Sequence, residues 1–107
     1  MTPVSPVAVL VNRTAELVPT MTTVMLIEAA ARRGHPIDLI DVADLGLAAD
    51  GRLVARARRA PVPAPAREDP PARAAWLAAL KAVPLEPMRL DACRLLLIRT
   101  NPARDTA

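Results

Sequence analysis

Three short apolar runs constrain this chain more than any other feature. Val7 to Val11, Ile37 to Val42 and Cys93 to Ile98 are rich in Val, Ile and Leu, and each spans only five or six residues. Runs of that length and composition read as strands rather than helices. The third is almost unbroken, as expected of a strand buried on both faces in the middle of a parallel sheet. Parallel neighbours need a crossover between them, usually a helix.

The segment between the first two runs supplies one. From Thr20 to Arg33, the residues Val24, Met25, Leu26, Ile27 and Ala29 to Ala31 give a wide apolar helical surface. Thr20 is placed to accept from first-turn amides as N-cap. Arg32 and Arg33 suit the negative end of the helix dipole. Gly34 suits the position just past the end, and Pro36 blocks continuation. Strand, helix and strand then form a βαβ unit, with parallel strands and a right-handed crossover expected.

Asp44 to Ala49 reads as a loop or short turn. Asp50-Gly51 predicts a type I′ hairpin, in which both residues take positive φ. The alternating stretch from Leu53 to Ala57 completes a small β-ribbon with one basic, wet face. Ala60 to Pro71 is rich in Pro and Ala and predicts a mobile loop of partly polyproline character within the domain. Asp69 before Pro70 and Pro71 is a helix-start signature. The helix is expected over Ala72 to Val83, with Trp76, Leu80 and Val83 at helical spacing, and Pro84 and Pro87 end it.

The order β-α-β-ribbon-α-β predicts one α/β domain over residues 1–107: a three-layer, Rossmann-like open parallel sheet with a small β-ribbon. Ligands bind such sheets outside the carboxyl ends of the strands. Those ends carry Asn12 to Thr14 and Arg99 to Asn101.

Trp76 is the only aromatic residue, so the core is built from Val, Leu, Ile, Met and Ala. The formal charge is +3. The basic residues are scattered among acids apart from the cluster Arg52 to Arg59, and no aromatic stacking platform accompanies that cluster, which disfavours a nucleic-acid partner. A single cysteine, Cys93, rules out an internal disulfide framework and suits a reducing cytoplasm. No secretory leader is recognisable. No apolar run reaches the ~20 residues of a membrane helix, so no membrane partner is expected.

Arg99 is the first candidate for ligand contact. A guanidinium at the end of a buried strand can grip a carboxylate or phosphate with two parallel hydrogen bonds, although a salt bridge at the strand end would account for it equally well. Asn12 and Asn101 are candidates for orienting a substrate, with turn formation as the competing role. Thr20 and Thr22 are candidates for hydroxyl donation near the cleft, helix capping being expected for one of them. Cys93 sits among core residues and lacks an adjacent base, so it reads as a packed thiol. His35 reads as a surface turn residue, and one His with one Cys makes no metal site. No phosphate-cradling glycine loop and no paired acids are present. No catalytic or metal-binding residue is therefore assigned.

The order of these pieces resembles the start of the prokaryotic glutathione synthetases. The likeness is carried by Val7-Ala-Val-Leu-Val-Asn12, by the Met/Leu-rich Glu-Ala helix closing on Arg32-Arg33-Gly34, and by Asp50-Gly51-Arg52-Leu53-Val54-Ala55-Arg56-Ala57 where the family has Asn-Gly-x-Ala-x-Ala. Trp76 echoes a Trp in the family's variable segment. Leu90 to Pro102 stands where the family has an acidic-apolar strand running into Arg-Lys-Asp-Pro-Pro. The chain departs from the pattern at Asn12, often an acid there, and at Thr100, Asn101 and Ala103.

The resemblance implies a pre-ATP-grasp domain that lines the substrate cleft and packs on a downstream ATP-grasp domain or subunit. It implies a ligase joining γ-glutamylcysteine to glycine, or a related amino-acid pair, through an acyl-phosphate. ATP and magnesium would serve the full enzyme and would not be held by this chain, and homo-oligomerisation is left open. The rival expectations are a free-standing α/β binding or regulatory module without catalysis, a polyanion binder and a fragment with no independent function.

Overall fold

The computed structural model describes residues 6–66, 68–90 and 95–99. Six strands and two helices appear in the order β1 (Val7–Val11), α1 (Thr22–Arg32), β2 (Ile37–Asp41), β3 (Leu45–Leu47), β4 (Leu53–Arg59), α2 (Pro70–Lys81), β5 (Glu86–Arg89), β6 (Leu95–Arg99). Short 3-10 turns cover Thr14–Glu16 and Val42–Asp44.

The expected parallel sheet is present at the centre. β1 runs parallel to β2 on one side and to β6 on the other. The whole sheet is mixed rather than parallel: β4 meets β2 antiparallel at Asp38↔Arg59 and Leu39↔Arg58, then pairs antiparallel with β3 and β5. The hairpin connection between β3 and β4 makes that ladder antiparallel, because a short turn cannot return a strand in the same direction.

Strand alternation divides the interior into two cores. Val7, Val9 and Val11 of β1 pack with Ile37 and Leu39 of β2, Val24 and Ile27 of α1, and Trp76, Leu77 and Leu80 of α2. Both helices thus cover one face. On the other face Ala8, Leu10 and Ile40 pack against Ala55 and Ala57, with Met88 and Leu90 beside them. The α/β class holds, and the third layer is the antiparallel ribbon rather than a helix. Small Ala side chains on β4 let the ribbon lie close to the sheet.

Local signals account for most helix ends. Asp69 caps α2 by accepting from the Ala72 amide at 3.3 Å, with Pro70 and Pro71 opening the helix. At the end of α1, Gly34 takes φ 92°, its amide donates to Ala31 O at 3.0 Å, and the His35 amide donates to Ala30 O at 3.2 Å. That pair of bonds is a Schellman cap.

The start of α1 differs from expectation. Thr20 is not the N-cap: Pro19 and Thr20 occupy a β-turn closed by the Met21 amide on Val18 O at 3.1 Å. Proline at the second position favours such a turn. The N-cap falls one residue later, at Met21, which makes no side-chain cap bond.

The hairpin also differs. Asp50 does not take positive φ; Gly51 alone does, at 85°. The Gly51 amide donates to Ala48 O at 2.9 Å and the Ala48 amide to Arg52 O at 2.9 Å. This is a turn over Ala48 to Gly51 that ends on the left-handed Gly51, a longer loop than the type I′ hairpin. A Cβ on Gly51 would meet nothing within 4 Å, so only its backbone conformation resists substitution. Gly51→Ala is expected to cost about 1–2 kcal/mol, and Gly51→Asn less, in denaturant midpoints.

β5 is not anticipated from the sequence, where Pro84 and Pro87 read only as ending the preceding helix. Its described partner is β4 alone, and an edge strand tolerates proline because one side of its backbone needs no ladder bond. The Pro- and Ala-rich stretch, expected to be mobile, carries several tethers. Ala60 is buried, Pro61 O accepts from Trp76 Nε1 at 3.1 Å, and Pro65 O accepts from Arg32 Nε at 3.0 Å.

Candidate functional site

The parallel register sets Asp41, Val11 and Arg99 side by side at the carboxyl ends of β2, β1 and β6. The chain leaves β1 toward β2 on one side, while β6 lies on the other. This is a topological switch point, where open α/β sheets leave a crevice. A cleft of about 330 Å³ lies there. Asn12, Arg13, Glu16, Thr22, Thr23 and Arg99 line it, together with the apolar side chains of Val11, Leu17 and Met21.

Three of the five candidate residues named from sequence, Asn12, Thr22 and Arg99, are therefore brought to one cleft. Asn12 follows β1 directly, Thr22 opens α1, and Arg99 ends β6. Asn101 lies outside the described residues, as do Cys93, Thr100 and Ala103. Thr20 does not line the cleft.

Arg99 Nε donates to Thr23 Oγ1 at 3.3 Å, which ties the guanidinium to the first turn of α1. Arg13 and Glu16 form an exposed pair at 3.8 Å across the 3-10 turn, a contact worth little in stability. The lining thus carries two guanidinium groups against one carboxylate. The first-turn amides of α1 add partial positive charge. Arg plus a helix N-terminus matches the donor geometry of a small carboxylate or phosphate.

Arg13, Glu16 and Thr23 were not singled out from sequence. Their signal is weak, because the Asn12 to Pro19 stretch reads only as a polar loop until its turn is placed. The turn is placed by Asp41. Its Oδ1 accepts from the Thr14 amide at 3.0 Å and also from the Thr14 hydroxyl.

The basic cluster on the ribbon proves to be matched in charge. Arg52 lies 3.3 Å from Asp50, Arg56 3.0 Å from Asp44, Arg58 3.9 Å from Asp41 and Arg59 2.7 Å from Asp38. Among the described residues no three His, Cys, Asp or Glu side chains converge to hold a metal ion. No helix of the described residues is long and apolar enough to cross a membrane.

Comparison with curated proteins finds no significant match. The family model of the prokaryotic glutathione synthetase N-terminal domain matches residues 6–107. That match covers both cores, the ribbon and every element that lines the cleft. The chain belongs to the prokaryotic glutathione synthetase N-terminal domain family, the N-terminal domain of glutathione-synthetase-like ligases.

Proposed function

We propose that the cleft at the β1–β6 switch point binds the carboxylate-bearing substrate of a peptide-bond-forming ligase, γ-glutamylcysteine or a related dipeptide or amino acid. The observation that carries this reading is the meeting of Asn12, Thr22 and Arg99 with the first turn of α1 in one cleft. γ-Glutamylcysteine has two free carboxylates. One would be activated as an acyl-phosphate and attacked by the amine of glycine or a similar amino acid. The other remains available for Arg99 to hold, with Thr22 and Asn12 orienting the adjoining polar groups.

In this reading the chain binds and orients, while a downstream ATP-grasp domain or subunit handles ATP and magnesium. Exposed apolar residues support a packed partner. Val18, Met25 and Leu26, at and just before the first turns of α1, are 45%, 40% and 43% exposed. Apolar surface grouped beside a cleft marks an interaction site. We place the enzyme in the cytoplasm, where ATP is available and a lone thiol stays reduced.

The test is ATP-dependent phosphate release by the intact protein. Release that requires γ-glutamylcysteine and glycine is the expected result. Release only with another pair keeps the ligase and moves the substrate. No release with any pair, from protein that is folded, removes the ligase reading in favour of a binding module.

A further inference from the structure

We infer that Asp41 is a positioning residue for the cleft: it holds the Arg13–Glu16 wall in place without itself lining the site. This rests on the reading of the cleft as the substrate site.

The 3-10 turn over Thr14–Glu16 is closed by its own bonds, Glu16 N to Arg13 O and Leu17 N to Thr14 O, both 3.1 Å. Those bonds fix the shape of the turn but not its place against the sheet. Its place is set by contacts to distant elements. Leu17 is buried in the helix-side core. Lys81 Nζ donates to Ala15 O at 3.3 Å, but this bond is exposed. The remaining anchor is Thr14, 3% exposed, whose amide and hydroxyl both donate to Asp41 Oδ1 across 27 residues of sequence.

Asp41 is not among the lining residues, whereas Arg13 and Glu16, which flank the anchored Thr14, are. The contacts that link Asp41 to the lining therefore run through the turn, and Thr14→Val, which keeps the Asp41 charge, separates that route from the direct effect of the charge on an anionic ligand. The carboxylate also has a competing partner. Arg58 Nη1 lies 3.9 Å from Oδ1, and Nη1 and Nε are buried with no hydrogen bond among the described residues. Oδ1 accepts hydrogen bonds from Thr14 rather than from the nearby guanidinium. A buried donor left without a partner is costly, so the geometry favours the placed turn at the expense of a direct Arg58 bond.

Losing a wall of a binding site by about an ångström can cost up to about 100-fold in efficiency. In the intact protein, Asp41→Ala should raise the KM for γ-glutamylcysteine about tenfold or more while leaving kcat near wild type, the pattern of lost substrate binding. Where turnover is absent, calorimetric affinity for γ-glutamylcysteine serves as the same readout. Thr14→Val removes the hydroxyl bond and keeps the shape, so it should raise KM several-fold, whereas Thr14→Ser should stay near wild type. The Thr14 and Glu16 amides should exchange faster with solvent in Asp41→Ala. If Asp41→Ala does not fold, the Val and Ser variants at Thr14 decide the matter.

Unchanged KM in Asp41→Ala and Thr14→Val, with a raised KM in Arg99→Ala, overturns the positioning role and leaves the substrate reading standing. A raised KM in Asp41→Ala with none in Arg99→Ala keeps the wall and removes Arg99 from the site. No change in any of these variants overturns both.

Discussion

Glu28→Ala is expected to destabilise the protein by about 3–5 kcal/mol, a large part of the roughly 5–15 kcal/mol that holds a typical domain folded. Glu28 lies on α1 at 1% exposure. Arg73 Nε on α2 donates to Glu28 Oε2 at 3.1 Å, and the Arg73 side chain is 8% exposed. Arg32 donates to the other carboxylate oxygen and also to Pro65 O at 3.0 Å. One carboxylate thus joins α1 to α2, and through Arg32 to the Pro-rich stretch.

Removing Glu28 leaves the Arg73 guanidinium buried without its counter-charge, which is where the cost arises; the pair's net worth when intact is small. Arg73→Ala should be nearly as damaging, because it strands the carboxylate. The double variant Glu28→Leu with Arg73→Leu should recover most of the loss, since both charges leave together and Arg32 is 28% exposed and open to water. Thermal unfolding reads the difference. About 1 kcal/mol corresponds to about 4–8 °C for a domain near this size, so the single variants should drop Tm by tens of degrees. A drop of only a few degrees in Glu28→Ala would show that water reaches the pair and that it does not clamp the helices.

That clamp also shows what was legible in the sequence and what was not. Val7 to Val11, Gly34 and Asp69 act within a few residues of themselves, and each takes the role its local pattern predicts. Glu28 and Arg73 lie 45 residues apart, and nothing near either marks the other. Glu28 reads as one more polar residue in an Ala-rich helix until α2 is laid beside α1. The ribbon fails for a related reason. Asp50-Gly51 is a local hairpin signal and the hairpin forms, but the preference for positive φ at Asp50 yields to a longer loop. Pro87 hides β5 because proline argues against a strand unless the strand is already known to be an edge. The cleft divides the same way. Asn12, Thr22 and Arg99 are legible because topology brings strand ends and a helix start together, whereas Arg13 and Glu16 depend on a bond from Thr14 to Asp41 on a different strand.

Arg99→Ala is expected to raise the KM for the carboxylate substrate about 10- to 100-fold while leaving the fold intact. The binding side follows from the donor set. Arginine presents a planar fork that meets a carboxylate with two charge-assisted hydrogen bonds, and a hydrogen bond to a charged group contributes about 1.5–3 kcal/mol, which at about 1.4 kcal/mol per decade is about one to two decades in affinity. The stability side follows from exposure. Arg99 is exposed, and the contact that ties it to α1 is one exposed bond to Thr23 Oγ1 at 3.3 Å. Substitutions of that kind usually shift stability by no more than about 0.5 kcal/mol, so Tm should move by a few degrees at most. Arg99→Lys separates charge from geometry. A point charge without the fork should recover part of the affinity and not all of it. Thr23→Val tests the orientation of the guanidinium: it should raise KM less than Arg99→Ala does, because the cation stays in the cleft while its tie to α1 is cut. An Arg99→Ala protein with wild-type KM and kcat would make Arg99 a strand-end surface residue, and the carboxylate would then have to be held by the first turn of α1 with Asn12. Arg99→Ala with a collapsed Tm would instead assign the side chain to the fold, and the KM of Arg99→Lys, which preserves the contact to Thr23 in charge if not in shape, would separate that role from binding.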